Sequence, residues 1–167
     1  MMVFDSSTVI LLAKIDLFEK FVSNYQGEIL IPDRVRAEIC VKGREETPLL
    51  IKLIKEKKVN VKKIKKRQQI IKVMEDFNID RGEAEALMLA IQEKAEAVAT
   101  DDRNAMRACK MLKINFVTAI AFLIRSFEKK LISKDEALLK LRKLQSFGRY
   151  GKSILEDATN RIKRGGV

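Results

Sequence analysis

The chain has 167 residues, and its 34 Lys and Arg against 23 Asp and Glu give a formal net charge of +11. That length is ample for one domain with a buried core, and 47% apolar residues with only 7 Gly and 2 Pro exclude a collagen-like or low-complexity chain. The chain has no His, the commonest zinc ligand and the usual general base near neutral pH. A serine-triad hydrolase, a His-ligated zinc enzyme and a His-relay ribonuclease are therefore disfavoured, which leaves carboxylates and a metal ion.

The predicted elements alternate between short strands and helices. In chain order they are a strand at 2–4, a helix from 6 to about 25 that can break near 15–16, a strand at 28–31, a helix from 33 to about 42, a helix from about 48 to 57, a helical pattern over 64–77, a helix over 83–94, a strand at 97–100, a helix over 102–112, a strand at 115–117 and a helix over 118–130. The segment 59–61 is too short to assign. Strands separated by helices, without alternating hairpins, indicate an α/β layered domain around a mainly parallel sheet.

From Ser133 onward the pattern is purely helical. Ser133 and Glu136 have the spacing of a capping box, and a break at 147–148 precedes a last helix. We therefore predict a domain over 1–130 and a helical extension over 131–167 that packs on the core or on a second subunit.

The charge is segregated along the chain. Residues 1–51 carry 6 basic and 8 acidic side chains, residues 52–72 carry 10 and 1, residues 73–128 carry 7 and 10, and residues 129–167 carry 11 and 4. Solvated Lys-rich helices would explain the basic blocks, and enrichment in Lys, Glu and Ile is also typical of thermophiles. Clustered Lys and Arg are nevertheless the usual footprint of a polyanion, so we predict nucleic-acid contact by both blocks. The candidate residues in the first block are Lys62, Lys63, Lys65, Lys66 and Arg67.

Acidic residues recur where strands end or helices begin. Asp5 follows the first strand, and Asp101 and Asp102 follow a later one. Glu38 lies in the helix after the second strand, and Glu83 opens a helix. Ligands of open α/β sheets bind outside the carboxyl ends of the strands, so we expect these acids at one sheet edge. Mg²⁺ and Mn²⁺ prefer hard oxygen ligands, and such ions catalyse phosphodiester hydrolysis without His.

Purely structural roles are open for these acids. Asp5 can cap the helix that starts near Ser6, and Glu38 can be an ordinary exposed glutamate. The spacing of Asp80 and Glu83 is also that of a helix-capping signal.

Two pairs of neighbouring acids stay unresolved at this point. Glu85 competes with Glu83 for a place in the site. Asp101 and Asp102 are adjacent and cannot both face the same way, so one can cap the next helix while the other binds a metal ion.

The order of these motifs resembles a PIN domain, most closely the prokaryotic branch related to VapC-type toxins. The motifs are Asp5-Ser6-Ser7 after a hydrophobic strand, Ile31-Pro32-Asp33 followed by Glu38, Gly82-Glu83-Ala84-Glu85-Ala86, and Ala99-Thr100-Asp101-Asp102. The resemblance covers about residues 1–125. It implies a three-layer parallel α/β/α sandwich related to flap-endonuclease cores, and a metal-dependent ribonuclease acting on single-stranded RNA.

The resemblance also assigns roles to residues. It implies that the catalytic acids are Asp5, Glu38, Glu83 and Asp102, which with Asp101 would hold Mg²⁺ or Mn²⁺. Glu83 stands where many toxins carry an aspartate, which adds one methylene of reach. The residues that would assist are Ser6, Glu85 and Thr100.

Two functional hypotheses follow, an endoribonuclease and a non-catalytic nucleic-acid-binding module with a weak metal site. An aspartyl-phosphate phosphatase or receiver domain is disfavoured, because Asp5-Ser6-Ser7 lacks a second Asp two positions on. The toxin analogy implies a small antitoxin that inserts a basic side chain among the carboxylates. A homodimer is also expected, through apolar faces at 116–127 or 138–144.

The expected compartment is the cytoplasm. Cys40 and Cys109 lie far apart in helical patterns, which is typical of buried thiols in a reducing environment. No signal peptide is apparent, and no apolar run reaches the roughly 20 residues that span a bilayer.

Overall fold

The computed structural model describes residues 1–66 and 68–165. The strands are β1 Met2–Phe4, β2 Ile29–Pro32, β3 Asn60–Lys62, β4 Ala97–Ala99 and β5 Phe116–Val117. The helices are α1 Ser6–Lys14, α2 Phe18–Asn24, α3 Asp33–Ile39, α4 Thr47–Lys55, α5 Gln68–Phe77, α6 Arg81–Glu93, α7 Arg103–Met111, α8 Ala119–Glu128, α9 Lys134–Phe147 and α10 Lys152–Arg164. Within the described residues, no helix combines the length and the apolarity needed to cross a membrane.

The five strands form one parallel sheet in the order β3-β2-β1-β4-β5. The central strand β1 pairs with β2 through Met2 opposite Ile29 and with β4 through Val3 opposite Val98. The first strand, β1, is therefore central in the sheet. The next two strands, β2 and β3, extend the sheet on one side of β1, and β4 and β5 extend it on the other side. The strand order reverses between β1 and β4, and at such a switch point a crevice opens at the carboxyl ends of the strands.

Each strand sends alternate side chains to opposite faces of the sheet. Val3, Leu30 and Val98 belong to one hydrophobic cluster, which α5, α6 and α7 complete. Phe4 and Ala99 belong to a second cluster, to which all the other helices contribute. The result is the predicted three-layer α/β/α sandwich, with C-terminal helices added to one layer.

Three local details complete or correct the predicted elements. The first predicted helix breaks near 15–16, as its pattern allowed, and is divided into α1 and α2 at Asp16, whose φ of 54° is left-handed. The unassigned segment 59–61 overlaps strand β3, which pairs with β2 at the sheet edge. The helical pattern predicted from Ile64 begins as α5 only at Gln68, while Ile64 is buried ahead of the helix. Three residues are too few to show a period, so β3 is specified mainly by its non-local pairing.

The C-terminal helices pack against the N-terminal half of the chain. Lys140 of α9 is buried, and its Nζ donates hydrogen bonds to the carbonyl oxygens of Ile15 at 2.6 Å and Asp16 at 3.3 Å. These carbonyls follow the end of α1, where a cation is favoured. Leu141 and Leu144 join the hydrophobic cluster that contains Phe4. The helical extension thus shares a core with the sheet, while a domain boundary near 130 stays a prediction.

The apolar faces suggested for a homodimer are largely used within the chain. Phe122 and Leu123 are 4% and 0% exposed, and Leu141 and Leu144 are 5% and 0% exposed. They pack into the cluster on one side of the sheet, because the helical spacing that makes a face apolar serves an internal core equally well. These residues are therefore not free to form an interface, and homodimerisation itself stays a prediction.

Candidate functional site

The candidate site lies at the carboxyl ends of β1 and β4, at the switch point. Asp5 follows β1 and caps α1, and Asp102 follows β4 and caps α7. The N-terminus of α8, capped by Thr118, lies next to them through its contact with Asp101. Helix N-termini carry partial positive charge. Three of them at one edge favour an anionic ligand there, although each is already partly satisfied by a capping side chain.

Asp5 is 1% exposed. Its Oδ1 accepts hydrogen bonds from the Thr8 amide at 2.9 Å and the Ser7 hydroxyl at 3.0 Å. Its Oδ2 is buried without a hydrogen-bond partner among the described residues. Burial raises the pKa of Asp5 to about 6 and the charge of Asp101 adds to this, whereas the nearby Thr100 hydroxyl, the Thr8 amide and the Ser7 hydroxyl lower it. One oxygen therefore caps α1 while the other is left for a ligand.

Glu83, in the first turn of α6, lies close enough to Asp5 and Asp102 for their charges to act on it. Burial raises the pKa of Glu83 to about 7, against a hydrogen bond from the Asp80 amide, and the charges of Asp80, Asp102 and Asp5 raise it further. The capping box that the sequence suggested is also present, since the Asp80 amide donates to Glu83 Oε2 and the Glu83 amide donates to Asp80 Oδ1, both at 2.9 Å. The charges of Asp5 and Asp102 thus act against a charge on Glu83, and a bound cation would relieve this repulsion.

Glu85 takes a different direction from Glu83. Two residues along a helix are separated by roughly 200° around its axis. Glu85 is 6% exposed, and it accepts hydrogen bonds from Arg81 Nε at 3.0 Å and from the Arg34 amide at 3.3 Å. It lines a separate pocket of about 280 Å³ with Asp33. The structure therefore brings Glu83, and not Glu85, beside Asp5.

Asp101 is engaged on both carboxylate oxygens. It accepts hydrogen bonds from the Thr8 hydroxyl at 2.8 Å, the Ala119 amide at 3.0 Å and the Tyr150 hydroxyl at 2.8 Å. Burial raises the pKa of Asp101, and these donors oppose the rise. Asp101 therefore joins β4 to α1, to α8 and to the C-terminal segment, a role that leaves it little capacity for a metal ion.

Asp102 is half-buried and uses Oδ1 to accept the Ala105 amide at 2.8 Å, which caps α7. The sequence suggested that one aspartate of the pair caps a helix while the other binds a metal ion. In the structure Asp101 and Asp102 each accept a hydrogen bond from a helix N-terminus, on α8 and α7 respectively. Asp102 is the less engaged of the two, because among the described residues only its Oδ1 accepts a hydrogen bond.

Glu38 reaches the same helix end because Gly82 has no side chain. A Cβ at Gly82 would lie 2.5 Å from Glu38 Oε2, so only glycine allows the Glu38 carboxylate to come this close to the first turn of α6. The other oxygen of Glu38 accepts a hydrogen bond from Arg34 Nε at 2.7 Å. Glu38 thus lies beside the residue that precedes Glu83, in an ion pair with an arginine of its own helix.

The hydroxyl groups that act on Asp5 differ in part from the predicted ones. Ser7, and not Ser6, donates to Asp5. Thr100 is 0% exposed, and its Oγ1 accepts the Asp102 amide at 3.3 Å while its hydroxyl lowers the pKa of Asp5. Ser6 is the first residue of α1, and Ser7 is the neighbour whose side chain turns back to the cap.

The donor set fits a hard divalent cation in its chemistry. Carboxylate oxygens are the preferred ligands of Mg²⁺ and Mn²⁺, and the unpartnered Oδ2 of Asp5 is a ligand atom without another function in the described structure. Among the described residues, no three acidic or thiol side chains are already grouped closely enough to hold a metal ion. The residues that would have to turn from present partners are Glu38 and Glu83, and both are only partly buried.

The Lys-rich segment, residues 62–66, extends from β3 along α6. Its four lysines are exposed, while Ile64 is buried beneath them. The Lys65 amide donates to Gln92 Oε1 at 2.8 Å, and Gln92 Nε2 donates to the Lys63 carbonyl at 3.2 Å. Gln92 lies nine residues after Glu83 in α6, roughly 14 Å along the helix axis. The segment therefore leads away from the acids, and the predicted Arg67 lies outside the described residues.

A C-terminal segment forms one wall of the site, which the sequence did not predict. The pocket beside the acids has a volume of about 330 Å³ and is lined by Glu83, Asp101 and Asp102. It is also lined by Phe147, Gly148 and Arg149. We call residues 147–150 the strap. The sequence showed only a helix break at this place, and no local pattern links it to the acids.

The fold and the site together define a parallel α/β protein with an acidic pocket at its switch point. A family model described as PIN domain matches residues 1–163, and the chain belongs to the PIN domain family. PIN domains have a nuclease-type fold. The match continues through α9 and nearly all of α10, whereas the motif resemblance covered only about residues 1–125. No curated protein and no solved structure gave a significant match to the chain.

Proposed function

We propose that this protein is a metal-dependent endoribonuclease that hydrolyses phosphodiester bonds in single-stranded RNA. The observation that carries the proposal is the buried Asp5 carboxylate, whose Oδ2 has no partner among the described residues and whose charge, together with that of Asp102, acts on Glu83. Burying such a charge is costly unless a ligand compensates it. Membership of a family with a nuclease-type fold supports the same function.

The residues that would hold Mg²⁺ or Mn²⁺ are Asp5, Glu83 and Asp102, with Glu38 beside them. When bound, such an ion supplies an activated water and neutralises charge on the transferring phosphate. The chain itself holds the acids in place. Ser7 and Thr8 orient Asp5, and Asp101 fixes the end of β4 to two helices and to the strap.

The surrounding charge suits an RNA strand. The lysines of residues 62–66 add a positive field that attracts phosphates from a distance, and Arg149 lines the acidic pocket itself. We also propose that a basic side chain of a small inhibitor protein would block the same acids, as the toxin analogy implies. The proposed setting is a reducing cytoplasm, in which Cys40 and Cys109 stay free thiols.

A cleavage assay on the full chain tests this function. Labelled single-stranded RNA is incubated with Mn²⁺, with Mg²⁺ or with EDTA, and with Asp5→Asn and Asp102→Asn variants. Loss of metal-ion catalysis worth several kcal/mol lowers the rate roughly a hundredfold or more. The matched control is Asp76→Asn, because Asp76 is an exposed residue of α5 that pairs with Lys72.

The expected result is cleavage with either ion, no cleavage in EDTA, loss of cleavage in both site variants, and no loss in the Asp76→Asn control. The proposal fails if neither ion supports cleavage of any single-stranded RNA. It also fails if the Asp5→Asn variant cleaves as fast as the unmodified protein.

A non-catalytic nucleic-acid-binding module is the second candidate. One observation favours it: within the described part of the chain, no three acids are already grouped for a metal ion. Titration calorimetry distinguishes the two functions. RNA binding that needs no metal ion and is unchanged by Asp5→Asn and by Asp102→Asn, without cleavage, supports the binding module.

A further inference from the structure

Phe147 is an exposed aromatic residue beside the acidic pocket. It is 49% exposed at the end of α9. The Lys14 ammonium lies over its ring, 5.0 Å from the centroid, a favourable cation–π arrangement. Other aromatic side chains serve the core, where Phe4 packs against both Phe18 and Phe122. Phe147 instead presents ring surface to solvent at the edge of the site.

The strap that carries Phe147 is fixed to the catalytic edge. The Tyr150 hydroxyl donates to Asp101 Oδ1 at 2.8 Å. A Cβ at Gly148 would collide with the Tyr150 ring, so a glycine at this position allows the ring to fold back against the backbone. Arg149, between these two residues, is exposed and lines the pocket with Glu83. The ring and the guanidinium group are therefore held near the acids by a partly buried hydrogen bond.

The acidic pocket continues into a larger groove. A neighbouring groove of about 770 Å³ shares Ile10, Lys14 and Phe147 with the acidic pocket and extends to Arg44 and Leu49. Phe147 and Lys14 therefore lie at the junction between the acids and the groove. Three acidic side chains also line the groove beyond Phe147, namely Asp16, Glu45 and Glu46. The cations near Phe147 thus mark a short path for an anionic strand, which ends where these acids begin.

We propose that Phe147 is a stacking platform for one base of the RNA substrate, and that Lys14 and Arg149 bind the flanking phosphates. The proposal rests on the proposed function and adds to it the residues that would select a single strand. Aromatic rings bind unpaired bases of any sequence by stacking, whereas the bases of a duplex are already stacked on one another. The two cations disfavour a basic peptide in the same place, so the chemistry favours RNA as the occupant.

The test uses tryptophan as a reporter, because the chain contains no Trp. The Phe147→Trp variant is titrated with a six-nucleotide oligoadenylate in EDTA, so that binding is measured without cleavage. Stacking of a base on the indole quenches its fluorescence. The matched control is Ile154→Trp, because Ile154 is 51% exposed on α10 and does not line either groove.

The expected result is saturable quenching in Phe147→Trp and none in Ile154→Trp. In fluorescence anisotropy with the labelled oligonucleotide, Phe147→Trp binds within about threefold of the unmodified protein. Phe147→Ala binds about tenfold more weakly, the loss expected for one stacked base, and Ile154→Ala binds normally. A 12-base-pair RNA duplex does not quench the Phe147→Trp fluorescence.

The outcomes separate this inference from the proposed function. The stacking platform is overturned if the unmodified protein binds and cleaves RNA while Phe147→Trp shows no quenching, or while Phe147→Ala binds normally. In that case the nuclease function stands. If the unmodified protein neither binds nor cleaves RNA, both proposals fail. Melting temperatures show whether each variant is folded. If Phe147→Ala is not folded, the quenching measured with Phe147→Trp decides the outcome.

Discussion

Two basic regions of this protein differ in what they offer an RNA strand. The Lys-rich segment, residues 62–66, places four exposed lysines in a row, but Gln92 holds its backbone roughly 14 Å along α6 from Glu83. The strap, residues 147–150, carries a single arginine. That arginine lines the acidic pocket, and Tyr150 fixes the strap to Asp101.

The difference separates attraction from placement. A dense row of lysines raises the local concentration of a polyanion and makes binding depend on salt. Contacts that position one phosphodiester bond require groups held at fixed distances from the reacting acids. The Lys-rich segment is suited to the first task and the strap to the second.

Removing the arginine of the strap gives the largest expected effect in this comparison. We expect Arg149→Ala to lower kcat/KM on a six-nucleotide RNA roughly thirtyfold, the cost of one charged hydrogen bond to a phosphate. Steady-state cleavage kinetics measure it. The matched control, Arg142→Ala on the exposed side of α9, changes kcat/KM less than twofold. Equal losses in both variants would show that only net charge matters.

Gly82→Ala tests the acids beside the strap, the second of the two regions compared. The new Cβ displaces the Glu38 carboxylate, so we expect cleavage to fall about tenfold, since a small misplacement of a catalytic group has a large cost. The melting temperature stays the same or rises, because Ala favours a helix over Gly and the displaced atom ends a flexible side chain. Unchanged cleavage would show that Glu38 has no part in the site.

Tyr150→Phe releases the strap without removing its charge. It deletes a hydrogen bond to a charged, largely buried carboxylate, so we expect a loss of about 1.5 kcal/mol in the free energy of unfolding and about a fivefold loss in kcat/KM. Urea denaturation and cleavage assays measure the two. Tyr25→Phe, at a ring that stacks on Phe21, serves as the control. If Tyr150→Phe leaves kcat/KM unchanged, the strap does not position the substrate.

Replacing all four lysines of residues 62–66 by Ala tests the other region. We expect kcat/KM on a six-nucleotide RNA to change less than twofold. On a 40-nucleotide RNA we expect about a fivefold loss in affinity and a weaker dependence on salt concentration. If the four-lysine variant lost as much kcat/KM on the short RNA as Arg149→Ala does, the lysines would contact the scissile region. The proposed difference between the two basic regions would then be wrong.

A further prediction concerns the pH dependence of stability, which changes no contact with RNA. Glu83 has a pKa of about 7 in the folded protein against 4.5 as the ordinary value, so its contribution to stability is fully present below the ordinary pKa and is lost as the pH rises through 7. In EDTA, the unmodified protein should therefore lose melting temperature between pH 5 and pH 8 relative to Glu83→Gln. Glu75→Gln, at an exposed residue of α5, should follow the unmodified protein. Parallel curves for Glu83→Gln would contradict this pKa.

The layered fold and the positions of the acids could be predicted because both depend on local patterns. Apolar strands followed by Asp5 and by Asp101 place these residues at one sheet edge as soon as the strands are parallel. The choice between Glu83 and Glu85 depends on how α6 is rotated about its axis relative to the sheet. The sequence is compatible with either rotation, so it could not decide between them. The edge strand β3 was not assigned, since it depends on pairing with β2.

The strap could not be predicted, because its contacts are distant along the chain. Tyr150 bonds to Asp101 across 49 positions, and Thr8 bonds to Asp101 across 93. The tail is positively charged in the sequence, but the pattern at 147–148 shows only a helix break. Gly82 was likewise part of a motif without an explanation, until the structure placed the Glu38 carboxylate against it.

If Asp5, Glu83 and Asp102 bind a divalent cation, melting temperatures at pH 7.5 with EDTA and with Mn²⁺ show it most directly. Burial raises the pKa of Asp5 to about 6 from an ordinary value of 3.8, so in EDTA Asp5→Asn should be the more stable protein by about 3 kcal/mol. Asn can retain the cap of α1. With saturating Mn²⁺ the order should reverse, because the unmodified protein gains binding energy that the variant lacks. If Mn²⁺ leaves the order unchanged, or stabilises both proteins equally, the acids are not a cation site.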